Sequence, residues 1–307
     1  MSRRLLAIVN PASGGGRAVS RWESLRKKCQ AFCSLLDVAY TEKPAHAIRM
    51  ARSAADHFDA VVAVGGDGTV SEVANGLLES GCSVPLGVLP VGTANDGAMQ
   101  FGIASVADGL AALAYGTPRH FDTIEVRHQQ EGQRVTRHAL MFAAVGFGAE
   151  LIAQTTARVK RLFGPRLCYA VGFLKALLHY RRCHMEAHTD QGDFTGALFH
   201  VCAGNTEYAG GHSMRLSPGA VPDDEQLNLC VVERLSRLEA LLHLPKLIRG
   251  THPTHPKVRY FNGTRLEVRS EPPTPLVLDG DVIGCTPATL TICPHALPVL
   301  VRKGVTH

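Results

Sequence analysis

The chain has 307 residues, 45% of them hydrophobic and 19% charged, with a net charge of +5 at neutral pH. That balance is ordinary for a globular protein of two medium domains, and no run approaches the roughly 20 apolar residues needed to span a bilayer as a helix. The positive charge suits an anionic surface or nucleic acid, but no nucleic-acid motif accompanies it, so nucleic acid is set aside as a partner.

Leu5 to Val9 reads as a first strand, too short before Asn10-Pro11 to be a signal-peptide core. The turn Asn10-Pro11-Ala12-Ser13-Gly14-Gly15-Gly16-Arg17 has the Asn, Ser and glycines of an anion-binding bend. A helix to about Cys33 carries Trp22, Leu25, Cys29 and Phe32 on one face. Leu36 to Tyr40 is a second strand, and Ala45 to Asp56 a second helix. The four apolar residues Val61 to Val64 need burial on both faces, as in a parallel sheet, and break directly into Gly65-Gly66-Asp67-Gly68-Thr69. A helix through Ser71 to Leu78 follows, so the turn aims a helix N-terminus at whatever anion sits there, and Asp67 is placed to meet its cation. No Gly-Lys pair occurs, which excludes the common P-loop. Gly146-Phe147-Gly148 lacks a third glycine because Leu151 stands there. Backbone amides and metal must therefore hold the nucleotide. Leu86 to Pro90 is a fourth strand, running into Val91-Gly92-Thr93-Ala94-Asn95-Asp96. Three such turns after three strands place a ligand off the carboxyl ends of a doubly wound sheet.

After Phe121-Asp122 the pattern changes. His128 to Arg137 reads as a polar turn and His138 to Val145 as a strand. From Met185 onward short alternating segments dominate: Ala197 to Ala203, Leu227 to Val232, Val258 to Tyr260, Thr264 to Val268, Leu276 to Leu278 and Thr289 to Cys293. They suggest a β-rich sandwich or barrel, with a boundary near Asp122. Asp279-Gly280-Asp281 puts two carboxylates on one face if extended, or makes a tight turn. Nine cysteines without a Cys-x-x-Cys pair fit free thiols in a reducing cytoplasm rather than zinc or disulfides. His252 and His255 flank Pro253 and read as a surface turn. Between Leu151 and Met185 no acid occurs. Arg158, Lys160, Arg161, Arg166, Lys175, Arg181 and Arg182 alternate there with Leu162, Phe163, Leu167, Tyr169, Phe173, Leu174, Leu177 and Leu178, a stretch suited to an anionic membrane or to a packed helix with a basic face. Ser236 to Arg249 is a second stretch of this kind.

Asn10-Pro11-x-Ser13-Gly14, Gly65 to Thr69 with Glu72, Gly92 to Asp96, Gly204-Asn205-x-x-Tyr208-x-Gly210-Gly211, Asp223-Asp224 and Leu278 to Asp281 stand in the order and spacing of the diacylglycerol kinase catalytic-domain family, which the chain resembles over nearly its whole length. That family includes bacterial lipid kinases, sphingosine kinases and ceramide kinases. The resemblance implies an N-terminal α/β domain, residues 1–122 with a returning segment 295–307, and a larger β-rich sandwich domain, residues 123–294, with ATP between them. It carries the ATP-contacting role to Asn10, Pro11, Ala12, Ser13, Gly14, Thr41, Gly65, Gly66, Asp67, Gly68, Thr69, Glu72, Thr93 and Asn95. It carries the surroundings of a catalytic magnesium to Asp67, Asp96 and Asp122, and a structural magnesium ligand to Asp224. Asp279 matches the proposed general base, and Asp281 stands where the family more often has glutamate. Met99 replaces an arginine common in bacterial members, and Asp223-Asp224-Glu225 departs from Asp-Asp-Gly. The expected activity is ATP- and magnesium-dependent phosphorylation of a lipid hydroxyl, diacylglycerol by default, at the inner face of the cytoplasmic membrane. Ceramide or another sphingoid lipid is the alternative acceptor, and a homodimer stays open. A kinase of a soluble acceptor such as NAD has only the glycine turn in its favour, and a silent lipid- or nucleotide-binding regulator is disfavoured by the retention of Asp67 and Asp279.

Overall fold

The computed structural model describes residues 3–54, 56–155, 157–180 and 183–302, apart from the side chains at 157, 158, 160, 161, 163 and 165–167. The chain divides into two compact units, residues 1–121 with 295–307, and residues 122–294.

The first unit alternates strand and helix: β1 (Arg3–Val9), α1 (Ala18–Gln30), β2 (Cys33–Tyr40), α2 (His46–Ala54), β3 (Ala60–Gly65), α3 (Asp67–Ser80), β4 (Leu86–Pro90) and α4 (Val106–Tyr115). β1 pairs in parallel with β2 and β3, and β3 with β4. The chain's last strand reaches the β4 edge, where Val299 pairs in parallel with Leu86. Parallel strands are buried on both faces, and alternation divides β1 accordingly. Leu5, Ala7 and Val9 pack with Trp22 and Leu25 of α1 and Leu113 of α4 in one core cluster, while Leu6 and Ile8 are buried on the opposite face. Trp22 is wholly buried, so Trp22→Ala is expected to cost about 3–5 kcal/mol. α3 stops at Gly81, whose φ of 71° lies in the left-handed region that ends helices.

The second unit is antiparallel throughout its described pairings. Its elements are β5 (Thr117–Gln130, which begins in the first unit), β6 (Gln133–Ala139), β7 (Phe142–Gly146), α5 (Phe147–Gln154), α6 (Ala157–His179), β8 (His184–Thr189), β9 (Gly192–Gly196), β10 (His200–Gly204), β11 (Leu227–Val232), α7 (Arg237–Arg249), β12 (Val258–Gly263), β13 (Arg265–Glu271), β14 (Pro275–Leu278) and β15 (Asp281–Val301). The hydrogen-bonded path runs β12-β11-β10-β7-β14-β15, then from β15 through β13 and β8 to β9. Alternate residues of these strands, among them Val126, Val145, Val201, Leu229, Val268, Leu276 and Leu290, meet in one apolar core.

Several boundaries differ from the sequence reading. α1 ends at Gln30, and Cys33 already belongs to β2 because it pairs with Arg3. The predicted polar turn from His128 to Arg137 is a hairpin of two strands, turning at Glu131-Gly132. It is polar because most of its side chains face solvent. The single strand predicted from His138 to Val145 is broken at Leu140-Met141, whose amides bond to a side chain instead of a neighbouring strand. His252, expected on a surface turn, is buried at the start of a short 3-10 turn.

Candidate active site

In the first unit the strands run parallel, so their carboxyl ends fall on one edge and bring the expected nucleotide contacts together. Asn10 to Gly14 follow β1, Thr41 follows β2, Gly66 to Thr69 follow β3, and Thr93 and Asn95 follow β4. Asn10 accepts from the Ala12 amide with Oδ1 (3.0 Å) and donates from Nδ2 to Thr69 Oγ1 (3.0 Å). Ser13 Oγ lies 3.4 Å from the same hydroxyl. The first turn is thereby tied to the second by polar side chains. A Cβ on Gly65 would stand 2.3 Å from Thr69 Oγ1, and one on Gly92 would stand 2.3 Å from Gly66 Cα and 2.7 Å from Asn95 Oδ1. Only glycine permits two main chains so close, and the result is a cradle walled by backbone. The N-cap of α3 is Gly66, which brings no capping side chain, so the first turn opens toward an anion.

Asp67 opens α3, and its Oδ1 accepts from the Gly97 amide at 2.7 Å. Burial pushes its carboxyl above the usual range and the charge of Asp96 adds to this, while the N–H groups of Gly97 and Asn95 pull the other way. Asp96 itself is buried. Two neighbouring carboxylates in a partly dry setting favour a cation. Magnesium fits this donor set: it takes hard oxygen ligands, keeps several waters, and uses one or two carboxylates plus substrate phosphates. Among the described residues no group of three or more His, Cys, Asp or Glu converges, and such a cage is not what magnesium of this kind requires.

Glu72 is turned elsewhere. Its carboxylate accepts from the Ala45 and Ala47 amides (2.8 and 3.2 Å) and so holds the start of α2.

In the second unit, Asp279 and Gly280 have φ of 49° and 95° and form the tight turn joining β14 to β15, where Leu278 pairs with Asp281. The extended alternative, with both carboxylates on one face, does not occur. Asp279 Oδ2 accepts from the Leu140 amide at 2.8 Å, and Oδ1 from Met141 (2.8 Å) and Phe142 (3.1 Å). Its orientation is fixed by main chain. Asp281 is exposed. Asp122 is buried, with Oδ2 accepting from the Glu225 amide at 2.7 Å. Asp224 lies close by; burial first, and then the charges of Asp122 and Asp223, push its carboxyl up, against the pull of the Gln226 amide. Asn205 bridges the carbonyls of Asp122 and Leu140 at 3.0 Å each.

Two first-unit groups escaped the sequence reading. Arg17 Nε donates to the Gly14 carbonyl (3.2 Å) and Arg21 Nη1 to the Val91 carbonyl (3.2 Å), which puts guanidinium groups against both turns. The available signal was their spacing of four at the start of α1, where cations oppose the helix dipole unless an anion is near. Gln100 Nε2 lies 3.9 Å, and Asp67 Oδ1 3.3 Å, from the point a Gly97 Cβ would occupy. Both polar atoms of the Gln100 amide are buried, with no partner among the described residues. Of the predicted membrane-facing stretch, Arg181, Arg182 and the side chains of Arg158, Lys160, Arg161, Phe163, Arg166 and Leu167 lie outside what the structure describes.

Comparison with known proteins agrees in both halves. The diacylglycerol kinase catalytic domain model matches residues 4–126, and the YegS C-terminal NAD kinase beta sandwich-like domain model matches residues 143–301. A diacylglycerol kinase of Staphylococcus aureus (strain bovine RF122 / ET3-1) is 30% identical over 315 residues, covering 100% of this chain and 95% of that protein. The crystal structure of a diacylglycerol kinase from Bacillus anthracis str. Sterne superimposes with a TM-score of 0.74 at 19% identity, covering 99% of this chain and 98% of that one. A second structure from the same organism gives 0.81 at 20% identity, covering 100% and 98%. Fold and comparisons together define a phosphotransferase of the lipid-kinase class, built from an N-terminal doubly wound α/β domain and a C-terminal β sandwich. The chain belongs to the diacylglycerol kinase catalytic domain family.

Proposed function

We propose that the chain transfers the γ-phosphoryl group of ATP, with magnesium, to the hydroxyl of a diacylglycerol-type lipid, working from the cytoplasm at the inner face of an anionic membrane. The observation that carries this reading is the backbone-walled cradle of Gly66 and Gly92 beside the partly buried Asp67. Phosphoryl transfer asks the protein for position and charge rather than covalent chemistry. Asn10, Ser13 and Thr69 orient the turns, the α3 N–H groups receive phosphate oxygens, and Arg17 and Arg21 add positive charge. Asp67 and Asp96 are the residues of the first unit that would hold magnesium and its waters, and the ion would neutralise charge on the phosphates. Asp279 takes the proton of the attacking hydroxyl, its carboxylate oriented beforehand by three amides. Among the described residues no helix is long and apolar enough to cross a membrane, in keeping with an enzyme that meets its lipid from outside.

The test is a transfer assay with labelled γ-phosphate in mixed micelles, across diacylglycerol, ceramide, sphingosine and NAD. Label is expected on diacylglycerol. Label on ceramide or sphingosine instead would reassign the acceptor, label on NAD without lipid would end the lipid reading, and tight nucleotide binding without any turnover would make the chain a regulator.

A further inference from the structure

An ordinary surface helix buries its apolar stripe and shows water its polar one. α7 does the reverse with five of its 13 residues. Ala240, His243, Leu244 and Leu247, spaced three and four apart, face the protein, where α7 packs on Met214-Arg215 and on the 252–254 turn. Leu238, Leu241, Leu242, Pro245 and Ile248 follow the same spacing on the opposite side, and all five are exposed, Leu238 and Leu242 at 65% each. The helix is no accident of weak folding, because a complete capping box starts it at Ser236 and Glu239 and Gly250 ends it in the left-handed region. The apolar surface continues past it. Arg237 donates to the Leu178 carbonyl at 3.2 Å, joining α7 to the end of α6, where Leu174 and Leu178 are also exposed.

Charge decides what such a face meets. Lys175, Arg234, Arg237, Lys246 and Arg249 surround the stripe, and among the described residues none of them is in an ion pair. The acid of the helix, Glu239, is already held by Lys257 Nζ at 2.6 Å and by the Ser236 amide. A second copy laid face to face would set these cations against their equivalents, an arrangement that repels. Anionic headgroups complement the rim while acyl chains accept the leucines, the pattern of a helix lying in a membrane interface.

We propose that the outer face of α7, continued by Leu174 and Leu178 of α6, is the surface by which this protein lies on an anionic lipid bilayer. The proposal deepens the lipid-kinase reading by assigning its membrane contact to particular side chains. Insertion of the leucines supplies adhesion, and the cations select the anionic leaflet.

Vesicle sedimentation without nucleotide tests it. Wild-type protein should sediment with phosphatidylcholine vesicles containing phosphatidylglycerol and far less with phosphatidylcholine alone. The double variant Leu238→Glu/Leu242→Glu should lose roughly tenfold or more of that partitioning while melting at the wild-type temperature and still phosphorylating a monomeric short-chain diacylglycerol at the wild-type rate. Arg237→Gln/Arg249→Gln should weaken binding to the anionic vesicles, with less salt dependence, and leave binding to phosphatidylcholine unchanged. Equal sedimentation of wild type and the leucine variant would overturn the proposal. So would a wild-type dimer in solution that the leucine variant turns into a monomer, since the stripe would then be a self-association surface. Because sedimentation needs no phosphoryl transfer, stripe-dependent binding by a protein that phosphorylates no lipid would sink the functional reading alone.

Discussion

Asp67 and Asp279 each follow a buried strand, yet their surroundings differ in kind. Asp67 sits beside a second carboxylate in a partly dry cradle, and burial with the Asp96 charge raises its proton affinity beyond what the Gly97 and Asn95 amides offset. Asp279 receives three amides, with donors on both oxygens. One carboxylate is left wanting positive charge, and the other is positioned by the chain itself. The first arrangement suits a residue completed by a metal. The second suits one that must present a fixed lone pair, and it also makes Asp279 part of the sheet's own hydrogen bonding.

The largest expected effect comes from breaking the first region. Asp67→Asn should reduce phosphoryl transfer by about 10^2- to 10^3-fold in the assay above. The same change should raise the stability of the metal-free protein by ~1 kcal/mol in thermal unfolding, because it removes an ill-placed charge while the amide oxygen can still accept from Gly97. A fall in stability would show that Asp67 is as well satisfied as Asp279, and the contrast would fail.

Asp279→Asn probes the second region and should behave oppositely. Turnover should collapse with nucleotide binding retained, and stability should drop by about 1–3 kcal/mol, because an amide offers one accepting oxygen where donors face both. Unchanged stability in denaturant titration would mean that the three amides do not depend on the carboxylate. Gly92→Ala fills the cradle without touching a charge. With backbone 2.3 Å from the new Cβ, it should cost about 1–3 kcal/mol and weaken nucleotide binding, read by calorimetry.

The pH response sharpens the comparison further. A carboxyl whose folded value is raised contributes most below the ordinary aspartate range, and that contribution is lost as pH rises through the raised value. Metal-free wild type should therefore lose stability relative to Asp67→Asn as pH climbs above the ordinary aspartate range, and added magnesium should shrink the difference. The opposite sign holds at Glu239, whose carboxyl is held down to about 2, first by Lys257 and then by Ser236. Its contribution is present above the ordinary glutamate range and is lost as pH falls toward 2. The smallest effect expected is at the same cap, where Ser236→Ala should cost about 1 kcal/mol, detectable as faster amide exchange in the first turn of α7.

Much of the first region was legible because its chemistry is local. The run Val61 to Val64 needs burial on both faces, as in a parallel sheet, and glycines directly after such a strand mark places where side chains would collide, so the cradle could be read from adjacent residues. Glu72 was harder, since the resemblance carried an ATP contact to it, while its hydrogen-bond partners, Ala45 and Ala47, lie at the start of a different helix. The break at Leu140-Met141 was hidden for a similar reason. Nothing in that apolar run announces a carboxylate arriving from the far end of the chain. Arg17 and Arg21 left a trace in their spacing, whereas Gln100 left none.

The sequence by itself determined the class of fold, the first four strands of the α/β unit and the glycine turns that follow them, because periodicity and glycine placement act over a few residues. The tertiary structure decided which carboxylate receives three amides and which is buried beside a second acid, and which side of α7 faces solvent. Those outcomes depend on partners as far as 139 residues away, as with Asp279 and Leu140, and on packing that no short stretch of chain encodes.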